Sequence, residues 1–153
     1  MREDTLRALS DVRLDGQSID QEAGSEESVR SSSIAFVDEE GVVDNVFEVM
    51  FREVPSSEGE GTSYLVVTWV VFPPDEVHRG AARNHELLAL LNLVNAEPGA
   101  KCRIETDGDT EVLLCETDLP VAGLTTDAIE LALARSRDVV ASYFDALESL
   151  VRG

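Results

Sequence analysis

Hydrophobic positions recur along this chain with two different periods, and the switches between them delimit the elements. Leu6, Leu9 and Val12 stand at helical spacing within Thr5 to Val12, with acidic residues just ahead. That spacing predicts a short helix, one that needs tertiary support. From Asp15 to Ser33 the chain is rich in Ser, Glu, Gln and Gly. Such a composition buries little, so 15–33 reads as a polar loop or mobile linker.

Period two then takes over. Ile34 to Val37 is a short strand closed by the turn-like Asp38-Glu39-Glu40-Gly41. In Val46 to Val54, Phe47, Val49 and Phe51 fall on one face and Glu48, Met50 and Arg52 on the other. This is the signature of a half-buried strand. Pro55 to Ser63 reads as a Gly- and Ser-rich turn, and Tyr64 to Phe72 as the next strand, ended by Pro73-Pro74. Leu87, Leu88, Leu91 and Val94 form an apolar stripe on a helix from Ala81 to Val94, which stops near Pro98-Gly99. Lys101 to Thr106 and Glu111 to Thr117 make a hairpin around Asp107-Gly108-Asp109. A final helix is capped by Thr125 or Thr126, with Asp127 and Glu130 in its first turn. Its apolar stripe is Ile129, Leu133, Val140, Tyr143, Phe144, Leu147 and Leu150.

The order α-β-β-β-α-β-β-α with hairpin connections predicts the α+β class. We expect one domain over 1–153: an antiparallel sheet of about five strands with helices mainly on one face.

One strand breaks the rule for a sheet wetted on its back. Leu65, Val67, Trp69 and Val71 line one face of Tyr64–Phe72, yet Tyr64, Val66, Val70 and Phe72 line the other. A sheet with one wet face should alternate. The second face therefore needs a cover, either the chain's own N-terminal segment or a partner. Four side chains burying ~60 Å² each would contribute ~6 kcal/mol, close to the cost of association. A symmetric pair of chains presents the patch twice, so Tyr64, Val66, Val70 and Phe72 are the candidate partner-binding residues.

Charge narrows the partner class. Asp and Glu total 31 against 12 Lys and Arg, for a net charge of −19, and Lys101 is the only lysine. Such a field repels phosphate backbones and anionic lipid, so neither nucleic acid nor a membrane is the expected partner. A basic protein, a cation or concentrated salt suits it better. Two explanations of the composition remain open, a GC-rich genome that favours arginine codons or a salt-loving host that prefers acidic surfaces. Met1-Arg2-Glu3-Asp4 precedes no apolar core, and no apolar run approaches the ~20 residues that span a bilayer, so a cytoplasmic location is expected.

Candidate chemistry is sparse. Cys102 and Cys115 lie on opposite strands of one hairpin. A four-residue loop, Asp107 to Thr110, makes them face each other. A two-residue Asp107-Gly108 loop places them diagonally, and a three-residue loop puts them on opposite faces. Two small buried hydrophobes and a disulfide both remain open. His78 and His85 form no compact ligand spacing with these thiols, and no nucleophile–base pair or phosphate cradle stands out. No enzymatic activity, metal or cofactor is expected.

From Glu86 to Arg152 the chain resembles the YbjN family and the wider type III secretion chaperone-like fold. A Leu-rich helix ends in Leu91-Asn92-x-x-Asn95. A hairpin with an Asp-Gly turn closes in Asp118-Leu119-Pro120. Gly123-Leu124-Thr125 then opens a long amphipathic helix. The resemblance implies a helix-over-sheet domain, often paired into dimers, that acts as a chaperone or adaptor. YbjN relatives are described as regulators of sensory transduction. Asn92 and Asn95 are expected to satisfy open carbonyls where their helix ends. The expected function is a non-enzymatic protein-interaction module, chaperone-like or regulatory, and homodimeric. The alternative is a small-molecule sensor with a metabolite pocket between sheet and helices.

Overall fold

A computed structural model of the protein describes residues 2–14, 17–21, 32–37 and 43–153. It comprises α1 (Arg2–Ser10), β1 (Arg13–Leu14), β2 (Gln17–Gln21), β3 (Ser32–Val37), β4 (Val43–Ser56) and β5 (Gly59–Phe72). A 3₁₀ turn (Ala81–Arg83), α2 (His85–Ala96), β6 (Lys101–Asp107), β7 (Thr110–Pro120) and α3 (Thr126–Arg152) follow. The strands form a sheet in the order β1-β2-β3-β4-β5-β7-β6. Antiparallel pairing joins β1 to β2, β2 to β3, β3 to β4 and β6 to β7. The class is α+β, with an antiparallel sheet and helices.

Among the described residues there are seven strands where about five were expected. The difference is β1 and β2, and β2 falls within 15–33, the stretch read as a loop. Gln17–Gln21 is polar, yet Ser18 to Gln21 pairs with Val37 to Ile34. Ladder hydrogen bonds come from the backbone, so a strand can form without an apolar face of its own. Residues 15–16 and 22–31, the rest of that stretch apart from the start of β3, lie outside the described residues. So does the turn read at Asp38 to Gly41.

The hairpin between β4 and β5 is longer than its sequence indicates. Both strands run into Pro55–Ser63, leaving only Ser57 and Glu58 outside them. Gly61 makes this close approach workable: a Cβ there would stand 2.6 Å from the Val54 carbonyl oxygen.

The chain divides into two compact units, Met1–Thr68 with Asp118–Leu133, and Trp69–Thr117 with Ala134–Gly153. In the first, Phe47 and Val49 are buried while Glu48, Met50 and Arg52 are exposed, as the period-two pattern of β4 predicts. Leu65, Val66 and Val67 are all buried in succession. Because successive side chains of a strand point to opposite faces, both faces of β5 are covered there. Leu9, Val12, Val121, Ile129 and Leu133 are also buried in this unit. The Thr126 hydroxyl donates to the Ala8 carbonyl at 2.9 Å, tying the start of α3 to α1.

In the second unit Leu87, Leu91 and Val94 of α2 and Val140, Leu147 and Val151 of α3 share a core with Phe72, Cys102, Leu113 and Cys115. Here the helices do cover one face. Leu113 and Cys115 are wholly buried, while Val112 and Leu114, on the opposite face of β7, are only half-buried. Within this core α3 carries one polar residue, Ser136, with no exposed surface.

Candidate functional site

The face proposed from sequence as a contact patch is largely sealed by the chain itself. Val66 is wholly buried in the first unit, and Tyr64 is half-buried there. In the second unit Phe72 is 1% exposed, its ring stacked on Phe144 at 5.2 Å between centroids. Only Val70 remains open, at 49%. The four residues therefore do not form one exposed surface. Phe144 of α3 is the cover that Phe72 finds within the chain.

A different site emerges in the second unit, where α2 meets β6. Asn84 starts α2: its side chain accepts from the backbone N–H of Glu86 at 3.0 Å and of Leu87 at 3.2 Å. These bonds satisfy two of the donors that a helix start leaves open. The Glu111 carboxylate does the same for the preceding 3₁₀ turn, accepting from Gly80 N–H at 2.9 Å and Ala82 N–H at 3.4 Å. At the other end of α2, Asn95 was expected to satisfy the open carbonyls of its own helix. It reaches β6 instead. Its amide nitrogen donates to the Cys102 carbonyl at 2.9 Å, and its oxygen accepts the Cys102 N–H at 2.6 Å.

That bidentate bond fixes the phase of the hairpin. Cys102 pairs directly with Cys115, and Asp107 with Thr110, with Gly108 at φ 60° in the turn. Among the loop readings, the facing arrangement is the one found. In an antiparallel pair, residues alternate between those that exchange backbone bonds and those whose backbone groups point away. Cys102 gives its N–H and C=O to Asn95, so it belongs to the second kind. By the same alternation the backbone groups of Ile104 point outward too. Among the described residues β6 is the last strand in the sheet order, so this is a sheet edge.

Along that edge runs an open cleft of ≈ 420 Å³, lined by Leu88, Leu91, Asn92 and Asn95 from α2 and by Cys102, Arg103 and Ile104 from β6. Leu88 is 38% exposed, and Leu93 on the same helix is 60% exposed. Arg103 is held by Glu116 at 2.6 Å and by Glu105 at 3.4 Å.

Behind the cleft wall lies a buried polar chain. Trp69 Nε1–H donates to Ser136 Oγ at 3.1 Å, and Ser136 Oγ stands 3.2 Å from Cys115 Sγ. An indole N–H only donates, so Ser136 accepts from Trp69, and its hydroxyl proton is available to the sulfur when Cys115 is ionised. Cys115 consequently sits among donors. The Cys102 thiol, Ser136, the Lys101 backbone and Trp69 together draw its pKa down to about 7 against the effect of burial. The Cys102 thiol moves the other way: its hydrogen bond to Cys115, burial and the neighbouring charge hold its proton far above the ordinary range. Both cysteines are free and buried.

The remaining sequence candidates lie elsewhere. His78 lines a separate cleft with Asp75, Glu76 and Arg152, its Nδ1 3.0 Å from the Arg79 carbonyl oxygen. His85 is exposed at the start of α2. Among the described residues no three His, Cys, Asp or Glu side chains gather as a metal ion would require. Among those residues no helix is long and apolar enough to cross a membrane. Sequence reasoning missed Ser136 and Trp69. The signal was a serine in phase with Ile129, Leu133 and Val140, a position that calls for a buried partner.

No protein-family model matches the chain, and no curated protein matches it.

Proposed function

We propose that this protein is a non-enzymatic interaction module, a chaperone-like or regulatory adaptor, that receives an extended segment of a partner protein along the β6 edge beside α2. The observation that carries this reading is the Asn95–Cys102 bond. A side-chain amide that satisfies both an N–H and a C=O of an edge residue does what a neighbouring strand does. The next outward-facing groups belong to Ile104, beside the apolar cleft, which suits strand addition: backbone bonds give affinity and alternate side chains fill a pocket. Leu88, Leu91 and Ile104 would take an apolar residue of the incoming segment.

The net charge of −19 selects a basic occupant, since complementary charge speeds encounter and excludes acidic competitors. It also disfavours a second copy of the chain, which carries the same charge. Homodimerisation through Tyr64–Phe72 loses its support, because Val66 and Phe72 are already buried. The likeness of Glu86–Arg152 to the YbjN and secretion-chaperone pattern is in keeping with a segment-holding role, and membership of that group forms part of the proposal.

Fluorescence anisotropy with short labelled peptides provides the test. Peptides that alternate lysine with valine are expected to bind, more weakly as salt rises, while glutamate–valine counterparts do not. Leu88→Arg, at an exposed position, is expected to weaken binding about tenfold, the scale of a truncated interface anchor, with the fold intact by circular dichroism. Equal binding of acidic and basic peptides, or indifference to Leu88→Arg, would overturn the proposal.

A second reading has its own observation. The cleft volume of ≈ 420 Å³ lies within the ~300–1,000 Å³ typical of small-molecule sites, which supports a metabolite sensor. A metabolite that raises the melting temperature of the native chain but not of Leu88→Arg would favour it.

A further inference from the structure

We infer that Cys102 and Cys115 are an oxidisable dithiol that reacts with low-molecular-weight disulfides entering through the α2–β6 cleft and closes into a cross-strand disulfide. Register comes first. The two residues are direct partners on neighbouring antiparallel strands, with both side chains on the same face. Asn95 takes the Cys102 backbone groups, which places the pair in the non-hydrogen-bonded position. There Cα atoms approach to ~4.5 Å and side chains are closest. Disulfides form at Cα separations of roughly 4.4–6.8 Å, so closure requires little backbone movement.

Access is asymmetric. Cys102 lines the cleft, whereas Cys115 stands behind it against Ser136. The entering disulfide therefore meets Cys102 first. Its sulfur attacks one sulfur of the reagent; a mixed disulfide forms at Cys102 and one small thiolate leaves. The proton that Cys102 gives up passes to Cys115 as the attack proceeds and from there to the departing thiolate, leaving Cys115 ionised. Cys115 then attacks Cys102 Sγ, forming the protein S–S bond and expelling the second small thiolate. Two protein thiols are oxidised and one small disulfide is reduced to two thiols, so electrons and protons balance.

The surroundings fit the resolving role of Cys115. A buried cysteine that merely fills space needs no polar partners. This one has the Ser136 hydroxyl aimed at it, with Trp69 holding that hydroxyl from behind, and it favours the ionised form that attacks fastest.

Trp69 is the sole tryptophan of the chain, so its emission reports on the pair directly. The native chain is equilibrated with mixtures of oxidised and reduced glutathione, acid-quenched, unfolded and alkylated. The oxidised form is expected to lose two hydrogens, take up no alkyl groups, remain monomeric and show altered Trp69 emission. Cys115→Ser should hold a single glutathione adduct, whereas Cys102→Ser should react far more slowly. The inference fails if both thiols of the native chain still alkylate fully after oxidised glutathione, or if the product is a dimer linked between chains. Adduct formation on Cys102→Ser as fast as on Cys115→Ser would overturn the entry route. The native-chain measurement decides the main claim even if a variant folds poorly.

Discussion

Ser136 is the residue on which the buried chemistry of the second unit turns. It has no exposed surface, accepts from Trp69 and can donate its own proton to the Cys115 thiolate. The pH dependence follows from the two thiols. Between about pH 7 and the ordinary thiol value of 9.0, the folded state has lost the Cys115 proton while the unfolded chain keeps both. The unfolded state binds more protons there, so stability rises with pH across that window. Above 9.0 the unfolded chain gives up both protons while the fold retains that of Cys102, so stability falls again. Urea unfolding of the reduced protein should therefore show a maximum near pH 9. Ser136→Ala should shift the thiolate absorbance transition upward and flatten the rise. A pH-independent unfolding midpoint would contradict the assigned hydrogen bonds. At this scale sequence supplied the players in part. Cys102 and Cys115 were evident as a hairpin pair, but their phase depends on where the turn at Gly108 falls, which local sequence leaves open. Asn95 was evident as a helix-end amide, but its partner lies across a turn.

Among the elements, β5 is where reading by period met its limit. The half-buried alternation of β4 was legible, as were the stripes of α2 and α3 and the Thr125 cap, whose hydroxyl accepts from the Ala128 N–H at 3.3 Å. The two-faced apolar run of β5 was legible too, but its cover was not. Period two says which side chains share a face and nothing about what lies over it. Phe72, buried against Phe144, should be costly to remove: Phe72→Ala is expected to destabilise by ~3–5 kcal/mol in chemical denaturation. Val70, half-exposed on the same strand, should tolerate Val70→Ala within ~0.5 kcal/mol. Comparable losses at both positions would mean that Val70 is covered in solution, and would restore the surface that sequence proposed. β2 was missed for a different reason, since its polar residues carry no periodic signal and only pairing with β3 defines it.

For the whole molecule, net charge dominates. At −19, self-repulsion opposes compaction, and salt should relieve it. The melting temperature is expected to climb from low to molar sodium chloride, with sodium sulfate compared at matched ionic strength to separate screening from surface exclusion. A flat response would mean that the carboxylates are already spaced to avoid one another, and would favour codon bias as the source of the acidity. The α+β class was legible because strand and helix periods alternate so clearly. The division into two compact units was not, since β5, β7 and α3 each begin in one unit and end in the other without any break in their pattern. The grip of Asn95 on Cys102 has one more effect. On the proposed strand addition, a guest strand would find that rung of the ladder already taken and would dock from Ile104 onward. Its reading frame is thus set by a fixed stop, before any of its side chains has been inspected.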